Sequence, residues 1–248
     1  MTSLWLVLAG IGAGLTGSIA GLASLVSYPA VLATGLGPVS ANVTNTVALV
    51  CSSIGSVTAS RPELTGQGAR VRRLATAAAL GGITGAALLL VTPADSFEKI
   101  VPILIAVASL AILVRRRLVD AAEHEHRAHD GTSTTIGVAV VGVYGGYFGA
   151  GAGVMLLALL LWATAEPLPR ANAVKNVVLG VANAVAAVAF VVLGDVHWDV
   201  AIPLGVGLFV GGRLGPVIVR RSNPTWLRAV IAVAGLGLAV KLGIDAYS

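Results

Sequence analysis

GAGLTGSIAGLAS, residues 12–24, lies inside an opening run of sixty residues without an ionised side chain, and the first charge along the chain is Arg61. Its Gly14, Gly17 and Gly21 return as Gly146, Gly149 and Gly153 in YGGYFGAGAGV, residues 144–154, at an offset of 132. The second glycine stretch also sits in an uncharged run, Gly131 to Ala165. One bilayer crossing takes roughly 20 apolar residues, so each run exceeds a single crossing. The chain therefore reads as an all-α membrane protein built on an internal duplication.

Composition agrees. The 248 residues are 56% hydrophobic and 11% charged, with mean hydropathy +0.92, whereas soluble domains carry about 25% charged residues. MTSLWLVLAG at the start has no Lys or Arg, and its apolar stretch outruns a signal-peptide core, so we read it as mature membrane sequence. The net charge of +5 comes from Lys and Arg at the ends of apolar runs. That placement orients a chain in a bilayer; a nucleic-acid reader gathers its cations on a water-facing surface. Cys51 is the one cysteine, which excludes an internal disulfide, a thiolate metal cluster and a CxxC pair.

Apolar runs between charges and Pro/Gly punctuation predict about eight segments: Leu4 to Val26, Ala41 to Ala59, Leu74 to Val91, Ile100 to Val114, Ile136 to Leu161, Ala171 to Leu193, Val200 to Val219 and Trp226 to Val240. Leu25 to Gly37, interrupted by Pro29, Gly35 and Gly37, is a candidate short re-entrant piece. The polar interval RRRLVDAAEHEHRAHDGTSTT, 115–135, divides the chain into a first repeat, 1–114, and a second, 136–248, of four segments each. Further matches keep the same order. Ala41-Asn42 and Val47 pair with Ala171-Asn172 and Val177, Gly81-Gly82 and Gly85 with Gly211-Gly212 and Gly215, all at an offset of 130, and IAVASL from Ile105 with IAVAGL from Ile231. Duplicated halves with glycine-broken segments at corresponding places are the pattern of secondary transporters; glycine spacing alone also serves close helix packing.

Basic residues flip between the halves. Arg61, Arg70, Arg72 and Arg73 follow the second segment, where the second half has GDVHWD; after the third segment the bias reverses, with Arg220, Arg221 and Arg228 in half two. This favours inverted repeats with both basic loops and the linker cytoplasmic. Four full crossings per half would make the repeats parallel, so a re-entrant or short element within Leu4 to Gly37 or Ile136 to Ala165 is required.

The glycine-rich first segment with Ser24 and Pro29, GPVSANVTNT from Gly37 to Thr46, its counterpart RANAVKNVV from Arg170 to Val178, and GGRLGPVIVRR from Gly211 to Arg221 resemble the TauE/SafE sulfite exporters, also called toluene sulfonate uptake permeases. The resemblance spans almost all of both halves. It implies a multi-pass carrier in the cell membrane for sulfite, sulfonates or related sulfur-containing anions, without enzymatic activity. Gly21 to Ser24 reads Gly-Leu-Ala-Ser where many members have a run of glycines.

Side-chain chemistry points to an anion independently. The segment interiors contain no Asp or Glu, so a carboxylate cage for a metal cation is missing. They do contain Asn42, Asn45 and Thr46 near one helix start and Asn172, Lys175 and Asn176 near its repeat partner, groups whose N–H and O–H bonds suit sulfonate oxygens. Gly17, Gly21, Gly149, Gly151 and Gly153, with Ser24, would let backbone N–H groups and helix N-termini approach the anion. The candidate site is that set of twelve residues. Lys175 reads equally as the charge facing the anion or as a side chain snorkelling to the interface; Arg213 reads as structural. EHEHRAH, 123–129, is a solvated linker rather than a metal site, and His197 with Asp195 and Asp199 sits in an aromatic-belt loop beside Trp198. Ser24 and Cys51 have no nearby His or carboxylate, and GxxxxGK[ST] is absent, so no cofactor or ATP machinery is expected and the drive is a gradient, with a proton or sodium as the candidate coupling ion, or a partner subunit. The competing reading is an accessory membrane protein whose glycines only pack helices.

Overall fold

The computed structural model describes residues 2–106, 131–164, 166–219 and 244, and every regular element among them is helical. The elements are α1 (Thr2–Ala20), α2 (Ala23–Leu32), α3 (Pro38–Ala59), α4 (Arg61–Leu64), α5 (Gly68–Val91), α6 (94–106), α7 (Thr132–Tyr147), α8 (Ala152–Ala163), α9 (Leu168–Leu193) and α10 (Trp198–Val219). Ser3–Ala20, Gly68–Val91, Leu168–Leu193 and Trp198–Ile218 are long and apolar enough to cross a membrane. The expected segment Trp226 to Val240, the linker stretch EHEHRAH and the end of Ile100 to Val114 lie outside the described residues.

Two expected segments are each split. Leu4 to Val26 becomes α1 and α2, parted at Gly21, and Ile136 to Leu161 becomes α7 and α8, parted at Phe148 to Gly151. Gly21, Gly149 and Gly151 have φ of 80°, 76° and 75°, a left-handed backbone that L side chains rarely adopt, and this is what ends each helix. At 10 and 12 residues, α2 and α8 reach only about 15 and 18 Å at 1.5 Å per residue. They cannot span a hydrocarbon core about 30 Å thick. Pro29 lies inside α2 without breaking it, while Gly35, at φ 90°, turns the chain into α3, which opens with Pro38 in its first turn.

The two halves of the chain interleave. α1 and α3 of the first half pack on α10 of the second, while α7 and α9 of the second half pack on α5 of the first. Small residues let these backbones touch. A Cβ on Gly14 would collide with α10 at Leu208 to Gly212, and one on Gly85 with α7 at Val143 to Tyr147. The correspondence is residue by residue: Gly212 abuts the Ser52 carbonyl and Gly82 the Ala182 carbonyl, two contacts related by the same offset of 130. The buried apolar residues form two hydrophobic clusters. One holds Leu6, Leu49, Leu204 and Leu208, the other Leu74, Leu156, Val178 and Ala182. Outward residues such as Leu80, Ile83, Val188, Val192, Ile202 and Val206 stay exposed, as surfaces meeting lipid do.

Helices α3 and α9 cross at Ser53 and Gly180 and run antiparallel. The His197 N–H, past the end of α9, donates to Thr44 Oγ1 at 3.1 Å near the start of α3. At the other end Arg170, in the first turn of α9, donates from Nη2 to the Thr65 carbonyl at 3.3 Å, and Arg70 Nη1 meets Glu166 Oε2 at 2.6 Å.

Candidate anion site between the broken helices

The two breaks meet at the centre. Each of Gly21 and Gly153 occupies the space where the other's Cβ would stand, so the end of α1 and the first turn of α8 touch backbone to backbone. Beside this contact lies a cavity with about 530 Å³ of empty space, its mouth included. Gly17, Ser18, Gly21, Ala23 and Ser24 line it from the first break, and Gly145, Phe148 and Gly149 from the second. The walls are α3 and α9, contributing Thr46, Leu49, Ser52, Ser53 and Ser56 on one side and Asn176, Leu179 and Asn183 on the other. Thr46, Leu49 and Ser53 stand at the offset of 130 from Asn176, Leu179 and Asn183, so the two walls are lined at positions that the sequence offset pairs.

None of the lining residues carries a charge. Its polarity is hydroxyl, amide and the N-terminal turn of α2, a place where backbone N–H groups and the helix dipole favour an anion. Asn176 Nδ2 is buried and has no hydrogen-bond acceptor among the described residues, which leaves an amide donor available to a ligand. Of the twelve residues expected from sequence, Gly17, Gly21, Ser24, Thr46, Gly149 and Asn176 line the cavity. Asn42, Asn45, Gly151, Gly153, Asn172 and Lys175 lie behind it.

The residues behind it hold the breaks in place. Asn172 Nδ2 donates to the Ser18 carbonyl at 2.9 Å, and Asn42 Nδ2 to the Tyr147 carbonyl, also at 2.9 Å. Each asparagine thus clamps the last turn of a broken helix in the other half of the chain, where carbonyls lack the usual i+4 partner. Neither of these two amides lines the cavity; both are turned to the broken turns, whose carbonyls need donors. Lys175, 1% exposed, donates from Nζ to the Gly17 carbonyl at 3.0 Å and the Ser18 carbonyl at 3.3 Å. Its ammonium sits against the C-terminal turn of α1, immediately behind the cavity wall, and does not snorkel to an interface.

Ser18, Ser52, Ser53, Ser56 and Asn183 were not anticipated. Asn183 follows Asn176 by seven residues, two helical turns, and Ser53 is its repeat equivalent; that spacing was the available signal. Arg213 is exposed and donates to Thr58 Oγ1 at 3.3 Å, in keeping with a structural role. His197 and Asp195 pair at 3.2 Å in an exposed loop away from the cavity. No group of three or more His, Cys, Asp or Glu able to hold a metal ion occurs among the described residues.

The family model described as sulfite exporter TauE/SafE matches residues 6–242. The chain belongs to the TauE/SafE family. It is similar to the probable membrane transporter protein YfcA of Escherichia coli K12, 26% identical over 236 residues that cover 95% of this chain and 87% of that one. It is also 26% identical over 242 residues to the probable membrane transporter protein ORF9 of a Sinorhizobium species, with 97% and 92% covered. A probable membrane transporter protein of Haemophilus influenzae is likewise 26% identical, with 95% and 92% covered. No solved structure matches. This TauE/SafE chain is accordingly a multi-pass membrane transporter and not an enzyme.

Proposed function

We propose that the protein is a secondary transporter of small sulfur-containing anions, sulfite, sulfonates or related organosulfur acids, across the cell membrane by alternating access between two inverted repeats. The observation that carries this reading is the neutral, donor-rich cavity at the crossing of the two helix breaks, walled by equivalent positions of both halves. Carrier sites are expected at such repeat interfaces, with half-helix N-termini turned to anionic groups. The repeats are 1–114 and 136–248, joined by the linker 115–135. Their inversion is supported by the antiparallel course of α3 and α9, the equivalent helices, and by the flipped Arg bias.

Purified protein in proteoliposomes is expected to take up labelled sulfite, a sulfonate or thiosulfate, and Asn176→Leu to reduce affinity about tenfold while folding normally. A polar donor aimed at an anion is worth roughly 1.5–3 kcal/mol, and each 1.4 kcal/mol is tenfold. An accessory protein would show no uptake of any of the three. Topology is tested in a Cys51→Ser background: Ala69→Cys, exposed beside the basic loop, is expected to label from the cytoplasm and Asp195→Cys from outside. Labelling of both from one side would make the repeats parallel.

A further inference from the structure

Half two sends a cation, Lys175, to the broken end of α1, whereas half one has a neutral residue at the equivalent place on α3. The position equivalent to Lys175 is Asn45, and the position equivalent to Asn172 is Asn42. In half two, the amide of Asn172 and the ammonium of Lys175, one turn apart on α9, both reach the terminal carbonyls of α1. In half one, Asn42 reaches the Tyr147 carbonyl in the terminal turn of α7, and Asn45 stands one turn further along α3. Asn42 and Asn45 are both 0% exposed. Asn42 Oδ1, Asn45 Oδ1 and Asn45 Nδ2 have no hydrogen-bond partner among the described residues. A buried amide oxygen without a donor is unfavourable, and two lie within one turn.

We propose that Asn42 Oδ1 and Asn45 Oδ1, with the C-terminal turn of α7, bind a monovalent cation of the Na⁺ class, which is the coupling ion for the transport proposed above. The chemistry of the donors selects it. All are neutral oxygens, amide and carbonyl, which suit a hard cation. No carboxylate lines the adjoining cavity, and no side chain that lines it is titratable near neutral pH to carry a proton. The carbonyl end of a broken helix carries partial negative charge and is a recognised place for Na⁺ in carriers of this architecture. In half two Lys175 supplies a covalently tethered cation to the same electrostatic feature, and in half one the cation is exchangeable. Tyr28, Phe97, Tyr147 and Phe148 form edge-to-face pairs at 5.2 to 6.0 Å around the end of α7. Phe148 also lines the cavity. A cation at the end of α7 therefore raises the potential felt by the anion, and by linkage each ligand raises the other's affinity by the same factor.

The test uses the full chain in detergent and in proteoliposomes, with Na⁺ as the probe. Replacing choline chloride by NaCl at constant ionic strength is expected to raise the thermal unfolding midpoint of the parent and to increase anion affinity fivefold or more. Asn45→Leu is expected to lose the Na⁺ response and Asn45→Asp to keep or enlarge it. Asn45→Lys, which tethers an ammonium as half two does, is expected to make both stability and anion affinity independent of Na⁺. If Asn45→Lys does not fold, the Leu and Asp variants decide. A parent indifferent to Na⁺, a Leu variant that keeps the Na⁺ shift, or uptake driven by a pH gradient alone would overturn the inference while leaving anion transport intact. A Na⁺ shift lost in Asn45→Leu, with no uptake of any sulfur anion, would uphold the cation site and overturn the transport reading.

Discussion

Gly21→Val is expected to leave almost no monodisperse protein after solubilisation, and Gly21→Ala to lower the unfolding midpoint well below that of Gly35→Ala. Both glycines have left-handed φ, 80° and 90°, so both substitutions carry a backbone penalty of roughly 1–2 kcal/mol. Only at Gly21 does the new Cβ also meet main-chain atoms, those of Gly153 and Val154, while Gly35 has open space around it. Main chain cannot step aside as a side chain does, and overpacking adds about 1–3 kcal/mol. Together these reach a large share of a typical stability of about 5–15 kcal/mol. The valine adds two methyl groups at the same point. Size-exclusion profiles and thermal unfolding of the three variants measure the difference directly. Equal midpoints for Gly21→Ala and Gly35→Ala would mean that the two breaks do not touch, and the cavity between them would lose its floor.

That the two glycine-rich stretches are broken was legible in the sequence because glycine spacing repeated at a fixed offset; where they break, at Gly21 and at Phe148 to Gly151, was not. The flipped Arg bias called for a short element in one of two stretches, and the short helices α2 and α8 lie in them. The exchange of α5 and α10 between the halves was not legible, since a sequence offset relates equivalent helices and says nothing of which copy they pack against. The site was legible by composition more than by direction. Asparagine, threonine and lysine at the starts of α3 and α9 marked the region, but helical phase put Thr46 and Asn176 on the cavity and turned Asn42 and Asn172 to the broken carbonyls. Serines of α3 escaped notice because single hydroxyls in a membrane helix ordinarily bond their own i−4 carbonyl, as Ser53 does with Leu49 at 3.4 Å. Their significance comes from the α9 wall opposite.

Lys175→Ala is expected to weaken anion binding tenfold or more while the protein still folds. The ammonium lies against Gly17 and Ser18, both of which line the cavity, so its charge is felt there although it does not itself reach the lining. A unit charge about 6 Å from an anion is worth roughly 3 kcal/mol at an effective dielectric of 20. Folding loses less, because each carbonyl keeps a second donor: the Gly21 N–H at 2.7 Å on Gly17 and the Asn172 amide at 2.9 Å on Ser18. What disappears is a cation at a helix C-terminus, worth up to about 2 kcal/mol in a buried setting, together with the packing of the stem. Lys175→Met retains the stem and isolates the charge, and Lys175→Arg, with charge but different donor geometry, is expected to fall between. Asn172→Ala supplies the control, since it removes a neutral donor from the same Ser18 carbonyl. If the asparagine and lysine variants lose equal anion affinity, Lys175 acts only as a brace for the end of α1. A loss confined to the lysine variants, read by isothermal titration and by uptake, identifies the ammonium as the fixed positive charge behind the cavity wall.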